Sequence, residues 1–262
     1  SERRRIEYSQ RSYSDEAAGR PLNQHLKISR KVFEPGYTIR IKPMAWWSDS
    51  ESLCDILSLQ TKGRYRWNNL ELTWKDDADY FAIFQRPQNG DFYDPKRSIV
   101  FQTEALSEEH PEIWGAQWAD PDPRNFLHVR KHKDFPNCPD WHIGVSYAKL
   151  INGSQPEKSA LFSAIVSGNY VLPGHKKIVY FLMFYERQSD VIPIDIFGRD
   201  NMQGFINYRG ALPEREKTGG LFPYRYTFNA ENSSVSNYYT EKIIDAILAE
   251  TLCFYWGCPN LE

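Results

Sequence analysis

Apolar runs of strand length recur along this chain, and in its second half helical stretches stand between them. That alternation is what most restricts the fold. Leu161 to Val166 is one such run, and Ile194-Asp195-Ile196-Phe197-Gly198 is a second, ending in glycine. Tyr226 to Ala230 and Leu252 to Gly257 are two more. Between them, Pro173-Gly174 opens a helical stretch reaching Arg187, with Ile178, Val179, Leu182 and Met183 as its apolar residues. Thr240 to Ala249 places Ile243, Ile244, Ile247 and Leu248 on one helix face. The first half is sparser. Thr38-Ile39-Arg40-Ile41-Lys42 alternates with the period of a strand. Ser50 to Leu59 has helical spacing behind the capping side chains of Ser48-Asp49-Ser50. Tyr80 to Phe84 is continuously apolar and stops before Pro87, and Ile99-Val100-Phe101 follows. Such buried runs, bounded by helices and turns, predict α/β layers with parallel sheets.

Charge excludes several classes of function. Lys plus Arg total 32 and Asp plus Glu 34, for a net charge of -2. That balance lacks the electrostatic footprint of a nucleic-acid or polybasic membrane binder. No apolar run approaches the ~20 residues of a membrane span. Residues 1–36 are polar and poorly periodic, and read as an arm. The turn formers Asn152-Gly153-Ser154-Gln155-Pro156 divide the remainder into 37–153 and 154–262. The four cysteines, Cys54, Cys138, Cys253 and Cys258, contain no CxxC pair and allow up to two disulfides. The opening Ser1-Glu2-Arg3-Arg4-Arg5, without Met or a signal-peptide core, reads as the start of an excised piece of a longer protein.

Ligands of open parallel sheets sit beyond the strand carboxyl ends, which directs attention to Phe228-Asn229-Ala230-Glu231-Asn232-Ser233-Ser234 and on to Tyr238-Tyr239-Thr240-Glu241-Lys242. A strand here ends in polar residues and leads into a helix that Thr240 can cap. The helix amides favour a phosphate. Lys242 in the first turn opposes the helix dipole, so an anion is expected beside it. Asn232 and Tyr238 can hydrogen-bond a sugar or phosphate, and Glu241 can accept from ribose hydroxyls.

This segment resembles the donor-binding motif of glycosyltransferase family 10, the α-1,3/1,4-fucosyltransferases: F-x-x-E-N-S, a short gap, Y-x-T-E-K, a helix and a strand ending in glycine. Phe228 to Gly257 matches it without a gap in the core of the motif. Ile194 to Arg199 is similar to the family's V-D-V-F-G-R strand, and Val166-Ser167-Gly168-Asn169 to its V-S-N turn. Ile99 to Glu104 stands where the family carries a strand ending in its catalytic Glu. The resemblance is strong over 160–262 and loose over 37–150. It implies a GT-B fold of two Rossmann-like domains facing across a cleft, with the acceptor on the first and GDP-fucose in the second. It implies Glu104 as general base, with Glu108 and Glu109 as alternatives. Asn232, Tyr238, Glu241 and Lys242 would hold the nucleotide. Where the family has an arginine on the pyrophosphate, this chain has Lys176 and Lys177, with Arg187 a poorer fit. No cofactor is implied beyond the donor substrate. The partners are GDP-fucose and an oligosaccharide or glycoconjugate acceptor, with no nucleic acid and no membrane span. Family members continue beyond the residue equivalent to Glu262. The compartment would be the Golgi lumen for a eukaryotic catalytic fragment and the cytoplasm for a bacterial or viral protein. A non-catalytic glycan- or sugar-nucleotide-binding module, or an enzyme using another GDP-sugar, is compatible with the same residues.

The other candidates read more plainly. Asp120-Pro121-Asp122 has a metal-binding spacing but the prolines of a rigid turn. His128 to Lys133 reads as a solvated charged face, and His142 as a structural histidine. Trp114, Trp118 and Trp141 stay open between core packing and sugar stacking.

Overall fold

Two sheets organise the protein, which is described here by a computed structural model covering residues 36–61, 65–105, 115–131, 141–166 and 177–261. The arm up to residue 35, Glu108, Glu109, Trp114, Cys138, the 167–169 turn and Lys176 lie outside the described residues. Thr38–Glu262 form one compact unit.

The first sheet is built from β1 (Ile39–Ala45), β2 (Arg66–Trp67), β3 (Leu70–Leu72), β4 (Tyr80–Phe84), β5 (Ser98–Phe101) and β6 (His128–Arg130), in the order β2-β3-β1-β4-β5-β6. Every pairing is parallel except β2 with β3. Helix α1 (Ser50–Ser58) follows β1. It is capped by Asp49, whose side chain accepts from the Ser52 amide at 2.9 Å. Pro43 is tolerated inside central β1 because the β3 ladder ends at Ile41–Leu72, leaving one neighbour there. Met44, Phe81, Ile83 and Val100 close the core of this half.

Ladder order reverses between β1 and β4. It reverses again in the second sheet, built from β7 (Ala160–Ile165), β8 (Ile194–Phe197), β9 (Tyr208–Gly210), β10 (Tyr224–Ala230) and β11 (Leu252–Trp256). Its order is β11-β10-β7-β8-β9, all parallel, with the switch between β7 and β10. The helices between the strands are α4 (Lys177–Gln188), α5 (Thr218–Leu221) and α6 (Glu241–Leu248), while α2 (Ala116–Ala119) and α3 (Tyr147–Asn152) precede β7. Aromatic rings fill this core, with Phe184 stacked on Phe228 at 4.6 Å and Tyr180 on Trp256 at 3.8 Å. Gly198 lets the ends of β7 and β8 converge, since a Cβ there would lie 2.4 Å from the Val166 carbonyl oxygen. Ile143, Val145 and Leu150, ahead of β7, pack with Leu221 and Ala249 of the second half.

The strand expected at Tyr80–Phe84 has those bounds, and the other expected strands and helices lie within a few residues of the elements found, the Pro173-Gly174 start of one helix lying outside the described residues. Several short elements carried no periodic signal, including β6, β9 and α5. Of the solvated face expected at His128 to Lys133, His132 and Lys133 lie outside the described residues, and the rest is corrected in part. His128–Arg130 pair with β5, and Val129 between them is 6% exposed. Trp118 packs against Tyr93 and Phe126, and the Trp141 indole donates to the Val145 carbonyl at 3.0 Å, so both serve the core rather than sugar stacking. Cys54, Cys253 and Cys258 are free thiols, and burial pushes Cys54 up to about 12. Among the described residues, no helix is long and apolar enough to cross a membrane.

Candidate active site

A cavity of about 660 Å³ opens beyond the carboxyl ends of β7, β8 and β10. Its wall includes Glu104 from the first half and Asn232, Glu241, Lys242 and Lys177 from the second. The sequence places these residues far apart in the chain, and the fold brings them to one space.

Glu104 is set by the strand before it and by Gln85. Buried Gln85 follows β4 with φ 64°, a backbone region that non-glycine residues rarely enter. Its side-chain oxygen accepts from the Thr103 and Glu104 amides at 3.1 and 2.9 Å, and its amide nitrogen donates to the Trp118 carbonyl at 3.0 Å. Gln102 donates to the Ala119 carbonyl at 2.7 Å. The Glu104 carboxylate then accepts from the Tyr238 hydroxyl at 3.1 Å and from the Asn232 amide at 3.4 Å. Burial raises its pKa, against the opposing pull of Lys242 and of these two donors. A raised pKa suits a carboxylate that must take up a proton.

Tyr238 is fully buried behind Glu104 and is not on the cavity wall. Burial, then the Glu104 charge, holds its phenol well above the ordinary value, so it acts as a hydrogen-bond donor. Asn232 does reach the wall. Its side-chain oxygen is buried without a hydrogen-bond partner among the described residues.

Thr240 caps α6 as expected. The anion beside Lys242 is a protein group. Glu231, 0% exposed, lies 3.0 Å from the Lys242 ammonium and also accepts from the Thr240 amide, the Thr240 hydroxyl and the Tyr255 hydroxyl. Burial pulls Lys242 down, but Glu241 and Glu231 outweigh it and keep the ammonium charged. Glu241 likewise does not stand free. Lys217 lies 3.1 Å from it and 2.6 Å from buried Asp245. Burial pushes Glu241 up, but Lys217, Lys242 and His142 hold it well below the carboxylate range. His142 is placed against this cluster, its amide donating to Asp245 at 2.6 Å.

Sequence reasoning missed Gln85, Glu231, Arg199, Arg215 and Lys217. The cost of a first-turn lysine did signal an anion, and Glu231 was its nearest candidate in the motif. Arg199 ends the quoted Ile194–Arg199 segment and lines the cavity, as does Arg215. Among the described residues, neither Lys177 nor Arg199 has a hydrogen-bond or ion-pair partner. Burial and the facing Lys242 lower Lys177 to about 8. Unpaired cations on the wall of a cavity make it receptive to an anion.

Asp120 and Asp122 are ion-paired with Lys131 and Arg124 at 2.7 and 2.6 Å. Among the described residues, no group of three or more His, Cys, Asp or Glu side chains could hold a metal ion.

No protein-family model and no curated protein matches the chain. Among solved structures, it is similar to an α1,3-fucosyltransferase with GDP, at 19% identity and a TM-score of 0.45, over 87% of this chain and 70% of that one. It is similar to an α1,3-fucosyltransferase with GDP-fucose at 20% identity and a TM-score of 0.40, over 85% and 69%. Likeness at this level does not bear on the chemistry of the site.

Proposed function

We propose that the protein is an inverting glycosyltransferase that moves fucose from GDP-fucose to a hydroxyl of a glycan acceptor. In this reading 37–153 is the acceptor-side domain and 154–262 the nucleotide-sugar domain of a GT-B pair. The observation that carries it is the meeting of Glu104 with Asn232 and Tyr238 beside a cavity lined by unpaired cations. The motif over Phe228 to Gly257 supports the same reading from sequence.

The acceptor hydroxyl gives its proton to the Glu104 carboxylate as its oxygen bonds to the anomeric carbon. The bond from that carbon to the phosphate oxygen breaks, and its electron pair leaves with GDP. Attack on the opposite face inverts the anomeric centre. Lys177, Arg199 and Lys242 supply positive charge for the departing diphosphate, so the step requires no metal. Tyr238 positions Glu104, and Asn232 offers its buried oxygen to a donor hydroxyl. Lys176 stays a second candidate for the diphosphate. Glu241, held by Lys217, accepts from the ribose.

A transfer assay with radiolabelled GDP-fucose, GDP-mannose and UDP-galactose over a panel of glycans tests this. Label is expected in glycan from GDP-fucose alone, and to persist in EDTA. Transfer only from another donor would replace the sugar. GDP binding without turnover of any donor would leave a binding module.

A further inference from the structure

We infer that Trp46 and Trp47 form the stacking platform for the acceptor oligosaccharide, at the edge of the cavity under Arg215. The inference rests on the transferase reading above.

The two tryptophans follow directly on β1, at the carboxyl end of the switch point between β1 and β4, where ligands of open sheets bind. They are 38% and 39% exposed in a turn closed by the Ala45–Ser48 bridge. Large indoles left at a surface with polar surroundings mark binding sites. Trp47 belongs to none of the core clusters, in contrast to Trp118 and Trp141.

Arg215 joins the platform to the cavity. The Arg215 guanidinium lies 4.6 Å above the Trp47 ring and also lines the cavity wall. Arg215 sits at φ 55°, in the left-handed region that a side chain of its size rarely adopts. Its Nη1 is buried with no hydrogen-bond partner among the described residues. A strained residue with an unspent donor, stacked on an exposed indole, fits a ligand that offers both an apolar ring face and hydroxyl oxygens. A pyranose has that combination.

Register places the platform at the right reach. Ala45, Phe84 and Phe101 are level across β1, β4 and β5, so the turn after β1 lies two strand spacings, ~10 Å, from the chain that carries Glu104. An acceptor whose reacting hydroxyl meets Glu104 can lay its next sugar residues on Trp47 and Trp46.

Tryptophan emission, titrated with chito- and galacto-oligosaccharides in the presence of GDP, tests the platform. The expected result is saturable quenching that Trp46→Ala and Trp47→Ala weaken, with Trp47→Phe recovering part of it. In steady state the acceptor KM should rise about five- to tenfold in each alanine variant, with kcat changed by less than about twofold. GDP calorimetry on the same variants reports an intact fold. No quenching by any oligosaccharide while GDP binds, or quenching unaltered in both alanine variants, overturns the platform. Tryptophan-dependent quenching without transfer would sink the transferase reading and leave the platform standing.

Discussion

The carboxyl edges of the two sheets are built by different means. At the first, Glu104 is held by neutral hydrogen bonds: Gln85 beneath its backbone, then Tyr238 and Asn232 at its carboxylate. At the second, charges hold one another, Glu231 with Lys242 and Lys217 with Glu241 and Asp245. These donors favour the carboxylate form, but burial outweighs them and raises Glu104, which leaves it able to exchange a proton. Among the interlocked ions, Lys217 and Lys242 are held above their ordinary values and Glu241 well below its own, so these three keep their charge. Glu104 is arranged to change protonation, and these three ions to resist it.

Breaking the second edge should have the largest effect. Glu231→Ala leaves the half-buried Lys242 without its nearest partner and the Thr240 and Tyr255 hydroxyls without their acceptor, and should cost about 3–5 kcal/mol of stability, read as a lower urea midpoint at unchanged slope. A variant as stable as the parent would mean that Lys242 reaches solvent instead. Deleting Lys242 would strand Glu231 in turn, so it tests folding together with binding.

Breaking the first edge should leave the fold intact. Glu104→Gln keeps size and polarity and should bind GDP normally while transfer falls at least about a hundredfold. If Glu104→Gln transfers at the parental rate, the proton goes elsewhere. In the parent, the acid limb of kcat/KM should fall above the ordinary carboxylate range, because burial raises Glu104.

The smallest effect sharpens the contrast. Lys177 is lowered to about 8 by burial and by Lys242, so it is charged below that pH and neutral above it. An anion binds the charged form. GDP affinity should therefore be level below pH 8 and fall above it, by at most about tenfold per pH unit. Calorimetry across pH 7 to 9.5 reads this directly, and Lys177→Met should abolish the slope. A persistent slope in that variant assigns the titration to another group.

The same contrast explains what could be read from sequence. Most of the second edge, Glu231, Glu241, Lys242 and Asp245, comes from a single strand-helix-strand run, Phe228 to Gly257, so these residues fall at fixed spacing and form a motif. The first is assembled from Gln85, Gln102, Glu104 and the Trp118 carbonyl, whose spacing reflects loop lengths rather than chemistry. Strands such as Tyr80–Phe84 were legible because burial makes them continuously apolar. His128–Arg130 was not, since only Val129 faces inward on an edge strand this short. Lys217 and Glu241 are 24 positions apart, and no local pattern pairs them.

The facing of Lys177 and Lys242 has a thermodynamic side. Two like charges across a cavity repel, and the lowered proton affinity of Lys177 measures that repulsion as well as its burial. An occupying anion removes the penalty along with its own binding, so occupancy and folding are linked quantities. On the proposed function, occupancy by the diphosphate and stability of the fold therefore rise together.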